Sequence, residues 1–152
     1  MIKFLNLGLQ PLANSYLKKS NLSKKEKKFK LEVAFNEKNY LVSIVNTVPK
    51  EKMFNNMYPY KSSESKTMRK SFKDLTTKIK KRFKPKFLIE IGSNDGVFLK
   101  NFSKEKIVGI EPCKNLAKLT RNINYTTYSE YWSTKLAKKI TKNKKAELIY
   151  SA

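Results

Sequence analysis

The stretch FLIEIGSNDGVFLKNF, from Phe87 to Phe102, constrains the fold of this chain more than any other. A strand-like apolar run breaks into Gly-Ser-Asn-Asp-Gly and is followed at once by helix-like spacing of Phe98, Leu99 and Phe102. Gly92 lets the backbone turn sharply without a Cβ, and Gly96 lets a ligand or the next helix approach closely. Amides opening a helix after the turn would favour a carboxylate or phosphate at the strand's tip. The G-x-x-x-G spacing is not the G-x-G-x-x-G of dinucleotide binders, which argues against a pyrophosphate.

From residue 87 onward, strand and helix patterns alternate. KIVGIEP (106–112), INYTTY (123–128) and AELIYSA (146–152) read as strands. NLAKLTRN (115–122) and the spacing of Trp132, Leu136 and Ile140 read as helices. Such alternation predicts a parallel α/β sheet. Upstream, Met68, Phe72, Leu75, Ile79 and Phe83 form a helical stripe that Pro85 stops. The first sixty residues read as β and loop. KFKLEVAF (28–35) places Leu31, Val33 and Phe35 on one face, YLVSIVNTV (40–48) is β-prone, and Asn36-Glu37-Lys38-Asn39 suits a hairpin turn. The expected organisation is a small β-rich domain over 1–62, a connecting helix over 63–86, and a parallel α/β sheet over 87–152.

Charge narrows the function classes. The 152 residues carry 34 Lys plus Arg against 12 acids, a net charge of +22. A polyanion binder is one reading. Only Arg69, Arg82 and Arg121 are arginines, however, and lysine lacks the bidentate fork that reads bases. Lysines spread along the whole chain, together with abundant Asn, Ile, Phe and Tyr, also fit drift in an A/T-rich genome. Weak non-specific polyanion binding at low salt follows on either reading. The single cysteine, Cys113, excludes an internal disulfide, and the absence of histidine excludes His-based acid/base chemistry. No apolar run reaches the roughly 18 residues of a membrane span. The first residues are interrupted by Pro11 and do not read as a signal peptide, so a cytoplasmic location is expected.

Glu111-Pro112 ends the second strand of the α/β part, where a carboxylate is placed to accept hydrogen bonds from a ribose diol. EIGSNDG followed by GIEP and NLAK resembles motif I and the strand-two acid of S-adenosylmethionine-dependent methyltransferases of the Rossmann-like class. More narrowly, the chain is similar to the C-methyltransferases that act on nucleotide-linked deoxysugars. LNLGLQPLANSYL (5–17), IVNTVPKEKMF (44–54) and YPYKSSES (58–65) resemble that family's small N-terminal domain. The resemblance implies that Gly92, Ser93, Asn94 and Gly96 line the methionine end of the cofactor, with Asp95 at the same turn. It implies that Glu111 holds the ribose hydroxyls, that Pro112 lies beside the adenine, and that Tyr60, Ser62 and Ser63 belong to a loop near a small-molecule substrate.

Two departures from the family bear on these expectations. Its N-terminal domain usually holds zinc through two C-x-x-C pairs; the second would fall at Asn36-Glu37-Lys38-Asn39, whose amides do not replace thiolates. No zinc is therefore expected. No residue matches the family's general base, so the catalytic residue stays unassigned and the chain is expected to be an N-terminal portion that does not turn over alone. The alternative is a small basic binding protein on a vestigial methyltransferase scaffold. Cys113, at a helix start, reads as an incidental thiol before a catalytic one.

Overall fold

The computed structural model describes every residue except Asn143, and the chain divides into two compact units, residues 1–54 and 55–152.

The first unit is an antiparallel sheet of β1 (Ile2–Pro11), β2 (Lys28–Asn36) and β3 (Leu41–Ile44), with β2 in the middle, followed by the single helical turn α1 (Lys50–Met53). Phe35 lies opposite Ile2 and Val42, and Val33 opposite Leu5 and Ile44. Opposed residues share a face, so these six make the apolar side on which alternation placed Val33 and Phe35. The more deeply buried side chains of β2 are on its other face, where Ala34 and Glu32 sit. Glu32 is held there by the ammonium groups of Lys3 and Lys30, at 3.4 and 3.1 Å, and by the Asn46 amide at 3.1 Å. The hairpin turn forms as expected: Asn36 and Asn39 side-chain oxygens accept the Lys38 and Leu41 amides, and the Tyr40 amide closes on Asn36 O. Strand β1 has no clear alternation in the sequence. Its register to β2 shifts twice, and Gly8 takes a positive φ of 68°, so its pattern is broken where its backbone is.

The second unit opens with α2 (Lys66–Phe83), capped by the Ser65 hydroxyl, which accepts the Met68 amide. Lys84 leaves the helix in the left-handed region at φ 45° and Pro85 prevents its continuation. The stripe is real up to Ile79, but Phe83 is 58% exposed because it lies on the last turn. Strands β4 (Leu88–Ile91), β5 (Ile107–Ile110), β6 (Thr127–Tyr128) and β7 (Leu148–Ser151) are all parallel, in the order β6-β5-β4-β7. Helices α3 (Lys114–Arg121) and α4 (Thr134–Thr141) lie in the crossovers. Phe72 and Ile79 of α2 pack with Phe98, Phe102, Leu88 and Ile107 in one core cluster, while Leu136 of α4 packs with Ile89 and Ile110 in the other. Each fully buried side chain of this kind contributes about 1.5–3 kcal/mol. This is the α/β class that the alternation implied, a small β-rich part followed by a parallel sheet.

One expected element is absent. After Gly96 the chain forms turns and a short 3-10 segment, Leu99–Asn101, instead of an α-helix. The Asn101 side-chain amide donates to the carbonyls of Val97 and Phe98, the acceptors that a continuing helix would use for its own amides. The spacing of Phe98, Leu99 and Phe102 therefore reports core positions and not helical periodicity. Among the described residues, no helix is long and apolar enough to cross a membrane.

Candidate functional site

The chain runs from β4 to β5 to β6 on one side and then returns to lay β7 against the other side of β4. That reversal is a topological switch point, and ligands of open parallel sheets bind beyond the strands' carboxyl ends at such points. Gly92 stands at the carboxyl end of β4. Its amide and that of Ser93 both donate to Ile110 O, at 2.8 and 3.0 Å, tying the turn to the end of β5. Gly92 has φ 74° and is exposed, and a Cβ there would meet nothing within 4 Å. Gly96, at φ 82°, differs: a Cβ would come within 2.5 Å of Thr120 Cγ2. Gly96 therefore serves the close approach of α3, the next α-helix in the chain. With no α-helix after the turn, the expected helix-dipole attraction for an anion falls away.

Glu111 is 5% exposed, and its oxygens accept the Asn94 and Cys113 amides, each at 2.8 Å. It thus staples the turn after β4 to the turn after β5; each oxygen retains a second lone pair. Pro112 follows it, half-buried. Asn94 and Asp95 bring the turn and the 60–63 segment together. Asn94 Oδ1 accepts the Ser62 amide at 3.0 Å, and Asn94 Nδ2 donates to Tyr60 O at 3.2 Å. Asp95 accepts the Ser63 amide at 3.2 Å and the Ser63 hydroxyl. Asn115 Nδ2 adds a bond to Tyr58 O at 2.7 Å. The glycine turn and the aromatic loop, separate in sequence, form one hydrogen-bonded patch at the carboxyl end of the sheet.

Sequence reasoning missed Glu90. It is 4% exposed on β4, on the face shared with Gly109 and Tyr150. Burial, with the nearby charges of Glu111 and Asp95, outweighs a hydrogen bond from the Leu99 amide and raises its pKa to about 8. Its Oε2 and the Ser93 Oγ are buried without partners. A lone acid inside the apolar run FLIEI was the available signal, since unpaired carboxylates are rarely buried. Cys113 is fully buried, and burial beside Glu111 pushes its thiol up to about 12, so its place at a helix start does not yield a thiolate.

Residues 1–54 match the family model Methyltransf_13, described as "Putative zinc binding domain". That ties the first unit to a methyltransferase-related domain. No curated protein matches the chain. The first unit does not fit zinc: residues 1–54 contain neither cysteine nor histidine. At the hairpin turn, the Asn36 and Asn39 oxygens are already used on backbone amides.

Proposed function

We propose that the chain is the cofactor-binding part of an S-adenosylmethionine-dependent methyltransferase, of the type that methylates carbon in a nucleotide-linked deoxysugar or similar small molecule. The observation that carries this reading is the open glycine turn at the topological switch point, backed by the buried, unpartnered oxygens of Glu90 and Ser93. A ligand bearing an ammonium group would supply donors to these oxygens and, by its positive charge, favour the ionised form of Glu90. The exposed backbone at Gly92 gives a ligand room, and Glu111 holds the two turns in register for a diol beside them. When bound, the cofactor supplies an electrophilic sulfonium methyl group. The residues of this chain bind and orient the reactants, which is where most of an enzymatic advantage for such a transfer arises. Tyr60, Ser62 and Ser63, hydrogen-bonded to the turn through Asn94 and Asp95, would border the acceptor, a role supported by their attachment to the glycine turn.

Calorimetric titration with S-adenosylmethionine and S-adenosylhomocysteine at two salt concentrations tests the reading. Binding that barely responds to salt, and that Gly92→Ala weakens about tenfold by filling open space, is the expected result. No heat from a folded protein would sink the proposal. Affinity for nucleic acid that collapses with salt would instead favour a basic binding protein built on this scaffold.

A further inference from the structure

The first unit has almost no apolar core. Of residues 1–54 only Glu32 and Ala34 are buried, both on one face of β2, while Ile2, Leu5, Val42 and Ile44 on the other face are exposed. A unit of this size that buries so little usually draws on a metal or on disulfides. The family description that residues 1–54 match names zinc, yet they contain no cysteine and no histidine. Among the described residues, no group of His, Cys, Asp and Glu side chains could hold a metal ion. The matched description and the donor set disagree, and something else must tie these strands.

Glu32 is where all three strands meet. It sits on the central strand, and its Oε2 accepts the Lys3 ammonium of β1 at 3.4 Å and the Asn46 amide, just past β3, at 3.1 Å. Its Oε1 takes Lys30 Nζ of β2 at 3.1 Å. Its main-chain carbonyl accepts the Val45 amide at 2.9 Å, which extends the pairing with β3. Lys30, with Lys3 and Asn46, outweighs burial and holds the Glu32 carboxyl below its ordinary range. A structural zinc gathers anionic and neutral ligands about a cation. Here two cations and an amide gather about an anion, so the same joining of segments is reached with the charges reversed. A buried acid is rare unless paired, and this one is paired from two strands. The tie is weaker than a metal's, because both lysine side chains are more than half exposed and water screens them.

We infer that the first unit is a metal-independent sheet pinned by Glu32, and that releasing this pin opens the unit without opening the parallel sheet. Hydrogen exchange of the full chain, followed in peptides over β1, β3 and β4, tests it. EDTA or added zinc should change exchange of β1 and β3 by less than about twofold, and both strands should exchange faster than β4. Glu32→Gln should accelerate β1 and β3 about tenfold and leave β4 unchanged. Lys3→Gln and Lys30→Gln should each accelerate them about threefold, which keeps the pin testable if the Glu32 variant does not fold. Lys28→Gln, the same loss of charge at an exposed β2 position outside the cluster, should change them less than about twofold. Protection gained with zinc or lost with EDTA would show a metal-held unit and overturn the inference. Equal effects of Lys3→Gln and Lys28→Gln would reduce the pin to diffuse charge and overturn it as well. So would a Glu32→Gln variant that leaves β1 and β3 unchanged, or one that accelerates β4 equally.

Discussion

Burial keeps the Glu90 carboxyl protonated up to about pH 8, against an ordinary value of 4.5, with Asp95 and Glu111 opposing its ionisation and Tyr150 beside it on the same face. The folded state therefore holds a proton that the unfolded chain has released. Stability from this group is fully present below about pH 4.5 and is lost as pH rises through 8. Urea unfolding should show this decline, on the order of 4–5 kcal/mol between the two limits, and Glu90→Gln should flatten it. An unchanged slope in the variant would assign the decline to other groups. The two glycines of the turn separate by the same kind of reasoning. Both have positive φ, so alanine at either is strained by about 1–2 kcal/mol. Only Gly96→Ala also meets Thr120 Cγ2, and it should cost about 2–4 kcal/mol, part of which Thr120→Ser recovers by removing that methyl while keeping the hydroxyl bonded to Thr127. No recovery in the double variant would mean that backbone strain, and not the close contact, sets the cost.

At the scale of elements, the 60–63 segment depends on two side chains of the glycine turn. Asp95→Ala removes the acceptor of both the Ser63 amide and its hydroxyl, so exchange of the Ser63 amide should accelerate while that of β4 stays slow. Equal acceleration throughout β4 would mean that the contact supports the whole sheet. This junction also marks how far the sequence could be read. Strands β4, β5 and β7 and helices α2, α3 and α4 announce themselves, because their apolar positions recur at a strand or helix period, and Pro85, Gly92 or Pro112 bounds α2, β4, β5 and α3. What stayed hidden was decided by contacts distant in sequence. Phe98, Leu99 and Phe102 mimic a helix because they are core positions on a tight turn, and the bonds of the Asn101 side chain to Val97 O and Phe98 O have no signature in spacing. Strand β1 takes its shape from pairing with β2 across two register shifts. At the site, Gly92 and Glu111 stood out by residue type at strand ends. That Asn94 and Asp95 reach the 60–63 segment, and that one oxygen of Glu90 lacks a partner, are tertiary facts.

For the molecule as a whole, the net charge of +22 is barely compensated: among the described residues, the salt bridges are Lys3 and Lys30 with Glu32, Lys61 with Glu64, and Lys139 with Glu130. Pairs with exposed lysines contribute at most about 1 kcal/mol each, whereas mutual repulsion acts among all the remaining cations in the folded state. Salt shortens the reach of that repulsion to about 10 Å at 0.1 M and about 3 Å at 1 M. The melting temperature should therefore rise by several degrees between about 20 mM and 500 mM sodium chloride, since about 1 kcal/mol corresponds to 2–4 °C in a chain of this size. Chloride is the salt of choice, because multivalent sulfate or phosphate binds lysines directly and would stabilise by binding. A flat or falling melting temperature would show that the lysines are already far enough apart to be screened by water. The same titration then separates the ligands: a cofactor at the glycine turn should hold its affinity while the protein grows more stable, and a nucleic acid held by the lysines should weaken with each increment of salt that stabilises the fold.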